Sequence, residues 1–229
     1  MTDTLAIYDM DRTITRTGTY TPFLLHAAMR LAPWRLVFAP LVPLVMLAYA
    51  AGLLTRARLK EINQRLLLGR HLHRAQLDRV TASFADLVWR TNILPGALER
   101  IAADRAEGRR LVMATASYRL YVEAIAARLG FDDVIATNSV IGLDARVQAR
   151  IDGENAYGPA KLRMIEAWLA TEGIARKDAH IRFYSDHASD APVMEWADEA
   201  VAANPSAKMR SMAAKRGWRI VDWSGTTDR

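Results

Sequence analysis

The clearest pattern along the chain is a set of short apolar runs that stop abruptly at a polar or acidic residue. The run at 5–8 stops at Asp9, the run at 110–114 at Thr115, and the run at 180–185 at Asp186. Runs this short and continuous predict strands buried on both faces. Residues 133–137 and 200–204 predict two more. Amphipathic stretches with helix punctuation lie between them: 118–129 ends at Gly130, 160–170 follows Gly158-Pro159 and ends near Gly173, and 206–216 precedes Gly217. Strands alternating with helices of this length predict an α/β fold, a Rossmann-like parallel sheet with helices on both faces. Ligands of such sheets bind beyond the carboxyl ends of the strands. Asp9, Thr115 and Asp186 all fall at that end.

The pattern changes between Thr15 and about Asn92. No strand run occurs there, and helical segments follow one another at 21–29, within 31–54, at 56–68 and at 73–91. Pro95-Gly96 then returns the chain to the alternating pattern. The expected organisation is a catalytic core of residues 1–15 and 92–229, with a helical cap at 16–91 inserted after the first strand and placed over the site.

Composition narrows the field. The chain has 229 residues, 51% of them apolar and 24% charged, enough for one core domain with one insertion. It has no cysteine, which excludes disulfides, thiolate metal sites and thiol catalysis. The start, Met1-Thr2-Asp3-Thr4, lacks a basic region and does not read as a signal peptide, so a cytoplasmic setting is expected. The net charge of +6 comes from arginines spread along the chain, which reads as a solvated basic face. Neither zinc-finger spacing nor an RNA-recognition motif accompanies it, so no nucleic-acid partner is expected. His71 and His73 have no neighbouring carboxylate and read as a surface turn rather than a metal pair.

Asp9 and Asp11, two residues apart just past a strand, suit covalent phosphoryl transfer. One carboxylate can attack phosphorus, and a second can protonate the leaving oxygen and then activate water. Both partners of that attack are anionic, so a hard cation must sit between them. Mg²⁺ with oxygen ligands meets the need, and Asp186 with Asp190 can supply them. Thr115 offers a hydroxyl at the end of its strand, and Lys161 a positive charge for the transferring group.

This set resembles the haloacid dehalogenase-like superfamily. Asp9-Met10-Asp11-Arg12-Thr13 matches its Asp-x-Asp-x-Thr motif, Leu111-Val112-Met113-Ala114-Thr115 its second, Gly158-Pro159-Ala160-Lys161 its lysine, and Tyr184-Ser185-Asp186-His187-Ala188-Ser189-Asp190 its acidic motif. Asn204-Pro205, Arg216-Gly217-Trp218 and the position of the cap are similar to the phosphoserine-phosphatase-like branch, subclass IB. The resemblance implies a phosphoric monoester hydrolase with Asp9 as nucleophile and metal ligand, and Asp11 as general acid/base with its carbonyl on Mg²⁺. It further implies Asp186 on the metal directly, Asp190 on it through water, and Thr115, Lys161 and Thr13 on phosphate. Two positions depart from the family: Arg12 stands where many members have glycine, and His187 where a small residue is common. They bear on specificity rather than on the reaction. A protein of the same fold with a binding or regulatory role is the alternative from a different class, opposed by the intact Asp9, Asp11, Asp186 and Lys161.

Residues 36–54 form nineteen positions without a charge, preceded by Arg30 and Arg35 and followed by Arg56, Arg58 and Lys60. A single membrane crossing would put Asp9 and Asp186 on opposite sides, and the run is too short for a hairpin. Three readings remain: buried cap helices broken at Pro40 and Pro43, a segment lying in a membrane interface with basic flanks on anionic headgroups, or a dimer contact. The second resembles the phosphatidylglycerophosphate phosphatases of the same superfamily, which carry a similar proline-containing apolar stretch. It would place the protein at the inner face of the cytoplasmic membrane. The substrate is accordingly expected to be a phosphorylated small molecule or a phospholipid headgroup.

Overall fold

The computed structural model describes residues 3–225; Met1 and Thr2, part of the N-terminal reading above, lie outside them. The strands are β1 (Asp3–Tyr8), β2 (His71–His73), β3 (Arg110–Tyr118), β4 (Asp133–Ile141), β5 (Arg146–Asp152), β6 (Ala179–Ser185), β7 (Glu199–Ala203) and β8 (Arg219–Val221). They form one sheet in the order β2-β5-β4-β3-β1-β6-β7-β8. From β4 to β8 every neighbouring pair is parallel, while β5 and β2 add an antiparallel edge. The helices are α1 (Tyr20–Leu31), α2 (Leu41–Ala50), α3 (Arg56–Leu68), α4 (Arg74–Thr91), α5 (Pro95–Ala106), α6 (Arg119–Leu129), α7 (Pro159–Thr171), α8 (Ala191–Trp196) and α9 (Ala207–Arg216).

Both faces of the sheet are buried, as the continuous apolar runs require. Successive side chains point to opposite faces. Leu5 and Ile7 therefore join Val112, Ile181 and Phe183 in the core beneath α7, α8 and α9. Ala6 and Tyr8 join Leu111, Met113 and the apolar sides of α4, α5 and α6 in the other core. The chain passes from β1 to β3 on one side and later to β6 on the other, so β1 is where strand order reverses. The crevice at such a switch point is the site a parallel sheet offers a ligand.

Helices α1 to α4 lie between β1 and β3, and α1 packs on α3 and α4. The chain leaves and rejoins the sheet layer along two paired segments, with Thr15 bridged to Ile93, Arg16 N–H donating to Asn92 O at 2.8 Å and Leu94 N–H to Ile14 O at 3.0 Å.

The structure departs from the sequence reading in four places. Arg146–Asp152 forms β5, whose alternation of Val147, Ala149 and Ile151 with polar residues suits a half-buried strand. His71 and His73 belong to β2, paired with β5, and not to a turn. Helices α5 and α8 and strand β8 were not foreseen either. Finally, of the three readings kept for 36–54, burial as cap helices is overturned: of its residues only Val42 is buried, while Val37, Leu41, Leu44, Met46, Leu47 and Leu53 are exposed. Pro43 sits in the first turn of α2, where a missing N–H costs nothing, so the predicted break lies before the helix. No helix among the described residues is long and apolar enough to cross a membrane.

Candidate active site

Strands β1 and β6 end level with Met113 of β3, which runs on past Thr115, so Asp9, Thr115 and Asp186 meet at the mouth of one cleft of about 430 Å³. Asp11, Arg12, Lys161, His187 and Asp190 also line it, together with Tyr20, Thr21 and Arg56 from the helical block and Tyr157 from the loop before α7.

Lys161 organises the floor. Gly158, at φ +59°, turns the chain into α7, and Lys161 lies in the first turn of that helix. Its side chain is 2% exposed, and Nζ donates to Asp9 Oδ1 at 2.8 Å and to Asp190 Oδ2 at 2.7 Å. Burial alone would lower the lysine's pKa, but Asp190 and Asp9 more than reverse it and raise it. The Ser185 hydroxyl donates to Asp190 Oδ2 at 2.7 Å, whereas buried Asp190 Oδ1 has no hydrogen-bond partner.

Asp9 is pushed up to about 6 by burial, with Lys161 opposing the shift and Asp190 adding to it. Asp186 is pushed up to about 7 by burial and by the charges of Asp9 and Asp190. Buried carboxylates that repel one another in this way would be relieved by a cation. Among the described residues no three His, Asp or Glu side chains converge into a complete metal cage. Mg²⁺ does not need one, because it keeps several waters and takes one or two carboxylates plus substrate phosphate. The hard oxygen donors and the unpartnered Asp190 oxygen fit it. Asp9 and Asp186 would hold such an ion, with the Asp11 carbonyl, and Asp190 would face its water.

Asp11 is held by three donors: Thr19 N–H and Thr19 Oγ1, both at 2.7 Å, and Ser117 Oγ at 2.6 Å. Thr19 lies at the start of α1, so the acid/base candidate is tied to the first turn of the helical block. Thr115 Oγ1 accepts from Ser117 N–H at 3.2 Å, which leaves its own proton free to donate into the cleft. Thr13 stands apart from the cleft-lining residues. It is fully buried and off the cleft wall, accepts from Asp186 N–H at 3.0 Å, and lies 3.2 Å from Asp9 Oδ2. Its hydroxyl links the two carboxylates from below.

Several participants were missed in the sequence. Below Asp9 and Asp186, buried Asp104 accepts from the hydroxyls of Tyr8 and, at 2.7 Å, of Tyr184, and is paired with Arg100 and Arg182. Tyr8 and Tyr184 stack at 4.3 Å, fixing β1 against β6 immediately before the carboxylates. Asp104 sits in α5, and nothing local distinguishes it from a solvated helix residue. Lys60, counted among the cations flanking 36–54, is buried and turned toward the site. Its Nζ donates to the Ala116 carbonyl and, at 2.6 Å, to Asn155 Oδ1.

A doubly covered parallel sheet with four aspartates and a bridging lysine at its switch point defines an α/β protein whose site is built for an anion and a hard cation. The chain belongs to the haloacid dehalogenase-like hydrolase family, whose model matches residues 6–195. Among curated relatives, it is 36% identical over 116 residues to the inhibition of morphological differentiation protein of Streptomyces azureus, covering 51% of this chain and 41% of that one. It is 30% identical over 139 residues to phosphoserine phosphatase SerB1 of Mycobacterium tuberculosis, covering 61% and 42%. The chain therefore spans less than half the length of these relatives. A solved structure of a protein of unknown function from Bordetella pertussis Tohama I is similar throughout, with 26% identity and a TM-score of 0.85 over 97% of this chain and 100% of that one.

Proposed function

We propose that the protein is a Mg²⁺-dependent phosphatase that hydrolyses a phosphomonoester through an aspartyl-phosphate on Asp9. The observation that carries this reading is Lys161 bridging Asp9 and Asp190 at the strand ends, with Asp11 poised on the same wall. Lys161 holds Asp9 Oδ1 and the Thr13 hydroxyl holds Oδ2, so the nucleophile's carboxylate is fixed in place at the cleft floor. Asp11, oriented by Thr19 and Ser117, donates a proton to the leaving oxygen and then takes one from the attacking water. Thr115 and Lys161 hold the phosphoryl oxygens. Bound Mg²⁺ supplies charge neutralisation between two anions, which these residues alone do not provide. The core–cap division at 15 and 92 belongs to the same proposal, with the helical block enclosing the substrate. The test is turnover of p-nitrophenyl phosphate with Mg²⁺. Asp9→Asn is expected to lower kcat by about 10,000-fold or more, as loss of a nucleophile does. Full activity in that variant would sink the mechanism.

A second reading concerns where the substrate is met. Trp34 (64% exposed), Val37 (69%), Leu44 (61%), Leu47 (66%) and Leu53 (77%) form an apolar surface along α2 and its flanks. Arg30, Arg35 and Arg58 stand at its ends. Contiguous exposed apolar surface of this kind favours docking, and basic flanks favour an anionic lipid surface. In this reading the substrate is a lipid phosphate of the phosphatidylglycerophosphate type, hydrolysed at the inner membrane face. Co-sedimentation with anionic vesicles, lost when Leu44→Gln and Leu47→Gln are combined, is the expected result. Equal partition of both proteins would remove the reading and leave the phosphatase intact.

A further inference from the structure

The four carboxylates on the cleft wall are Asp9, Asp11, Asp186 and Asp190, and no glutamate joins them among the described residues that line it. Each has work already. Asp9 and Asp190 share Lys161, Asp11 is held by Thr19 and Ser117, and Asp186 accompanies Asp9 at the cation position. An ammonium group on a substrate would find no carboxylate to receive it.

The cations are distributed differently. Besides Lys161, the cleft is lined by Arg12, from the loop after β1, and Arg56, from the first turn of α3. Neither guanidinium is in an ion pair with an acid among the described residues, unlike those of Arg58 and Arg163. Arg56 is also pre-positioned: its guanidinium lies 4.1 Å over the ring of Tyr157. Tyr157 in turn stands 6.1 Å from the ring of His187. His187 Nδ1 accepts from Ser189 N–H at 3.1 Å, which leaves Nε2–H as the ring's donor.

Arg12 occupies a backbone position of φ +63°, the left-handed region that glycine enters freely and other residues enter at a cost of about 1–2 kcal/mol. Thr15 Oγ1 holds that turn by accepting Arg12 N–H at 3.1 Å, and Asn204 Nδ2 donates to Thr13 O at 2.9 Å. The turn would form more readily around a glycine, and what the arginine adds there is a guanidinium on the cleft wall.

We propose that the cleft selects a phosphomonoester whose tail carries a second anionic group and no ammonium group, with Arg56 and Arg12 reading that anion. The proposal rests on the assignment of Asp9 as the phosphoryl acceptor and adds the charge of the substrate's other end. A carboxylate or phosphodiester on the tail meets two guanidinium groups, whereas an ammonium meets like charge and only carboxylates already engaged elsewhere. The pocket therefore discriminates against phosphoserine, the substrate in the name of one relative.

The test uses the full chain with Mg²⁺ and substrates that differ in the tail. 3-Phosphoglycerate and O-phosphoserine share a carboxylate and differ in hydroxyl against ammonium; phosphoethanolamine carries ammonium alone. The expected kcat/KM order is 3-phosphoglycerate over O-phosphoserine by roughly tenfold or more, with phosphoethanolamine last. One charge-assisted hydrogen bond corresponds to roughly 10- to 100-fold, so Arg56→Gln should compress the ratio of 3-phosphoglycerate to phosphoethanolamine by that factor. Arg56→Lys should restore part of it. Phosphatidylglycerophosphate in mixed micelles presents the same anion as a lipid phosphodiester. Faster turnover there than on 3-phosphoglycerate, with the same Arg56 dependence, assigns the anion to a lipid.

Three results would overturn the proposal: O-phosphoserine equal to or better than 3-phosphoglycerate, a ratio unmoved in Arg56→Gln, or no turnover of any tail-bearing ester while p-nitrophenyl phosphate is hydrolysed. In each of these the Asp9-dependent hydrolysis of p-nitrophenyl phosphate still stands. Loss of that hydrolysis in the wild type would overturn the catalytic reading and this inference together.

Discussion

Lys161 and Lys60 are both buried beside one cleft, at 2% and 5% exposure, and they stand in opposite electrostatic surroundings. Lys161 comes from the core helix α7 and touches two carboxylates. Lys60 comes from α3 in the helical block and touches two neutral oxygens, the Ala116 carbonyl and Asn155 Oδ1. Asp190 and Asp9 more than offset burial for the first and raise its pKa, whereas burial, then Arg56, bring the second down to about 7 against a smaller opposing pull from Asp11. A buried ammonium is tolerated when its charge is matched, and becomes a titrating group near neutrality when only dipoles receive it. The core lysine is thus a matched charge, and the helical block contributes one that only the Ala116 carbonyl and Asn155 receive.

The largest expected effect comes from removing the matched charge. Lys161→Met leaves Asp9 and Asp190 facing one another in a buried site. Breaking a buried pair by deleting one partner costs about 3–5 kcal/mol, and loss of a preorganised charge at the transferring group lowers rates roughly 100- to 1,000-fold. Urea unfolding and kcat on p-nitrophenyl phosphate should both show it. A variant of unchanged stability would mean that the two aspartates are already neutral, and the contrast with Lys60 would fail.

That contrast also explains what the sequence made legible. Lys161 follows Gly158-Pro159 and stands in order with Asp9, Thr115 and Asp186, so its position is set by local turn chemistry and by strand ends visible as apolar runs. Lys60 sits in an ordinary amphipathic segment rich in arginine, where a lysine reads as solvated. Its burial is decided by the packing of α3 against β5, and β5 was itself hidden because Arg146–Asp152 carries only three apolar residues. Asp104 escaped for the same reason: its partner Tyr184 lies in a strand 80 residues away, and no local signal records it. The opposite failure occurred at 36–54. Apolar composition predicts burial, but it cannot say whether the chain itself supplies the cover.

A smaller effect separates the lysines by pH. A folded pKa of about 7, against an ordinary value of 10.5, means that between those limits the unfolded chain binds more protons than the folded one at Lys60. Stability from this group therefore rises with pH across the window, by at most about 1.4 kcal/mol per unit, and below pH 7 the full cost of the buried charge is present. Lys60→Met has no such group. Unfolding measured from pH 6 to 9 should show the variant near or above wild-type stability at the acid end, and falling behind as pH rises. Parallel curves would place the Lys60 pKa outside the window.

The last change converts one lysine's surroundings toward the other's. Asn155→Asp keeps the shape of the side chain and places a carboxylate oxygen where Asn155 Oδ1 now lies, 2.6 Å from Lys60 Nζ. Lys60 then has an anionic partner, as Lys161 has, and its pKa should return toward or above the ordinary lysine range. Because the new charge is itself partly buried, the gain from pairing and the cost of desolvation nearly cancel, and stability at pH 7 should change by less than about 1 kcal/mol. The informative quantity is the slope rather than the level. Between pH 7 and 9 the rise seen in the wild type should flatten, because folded and unfolded chains now hold the Lys60 proton alike. A slope unchanged by Asn155→Asp but abolished by Lys60→Met would show that burial and Arg56 control this lysine, and that a single carboxylate is too little to make it resemble Lys161.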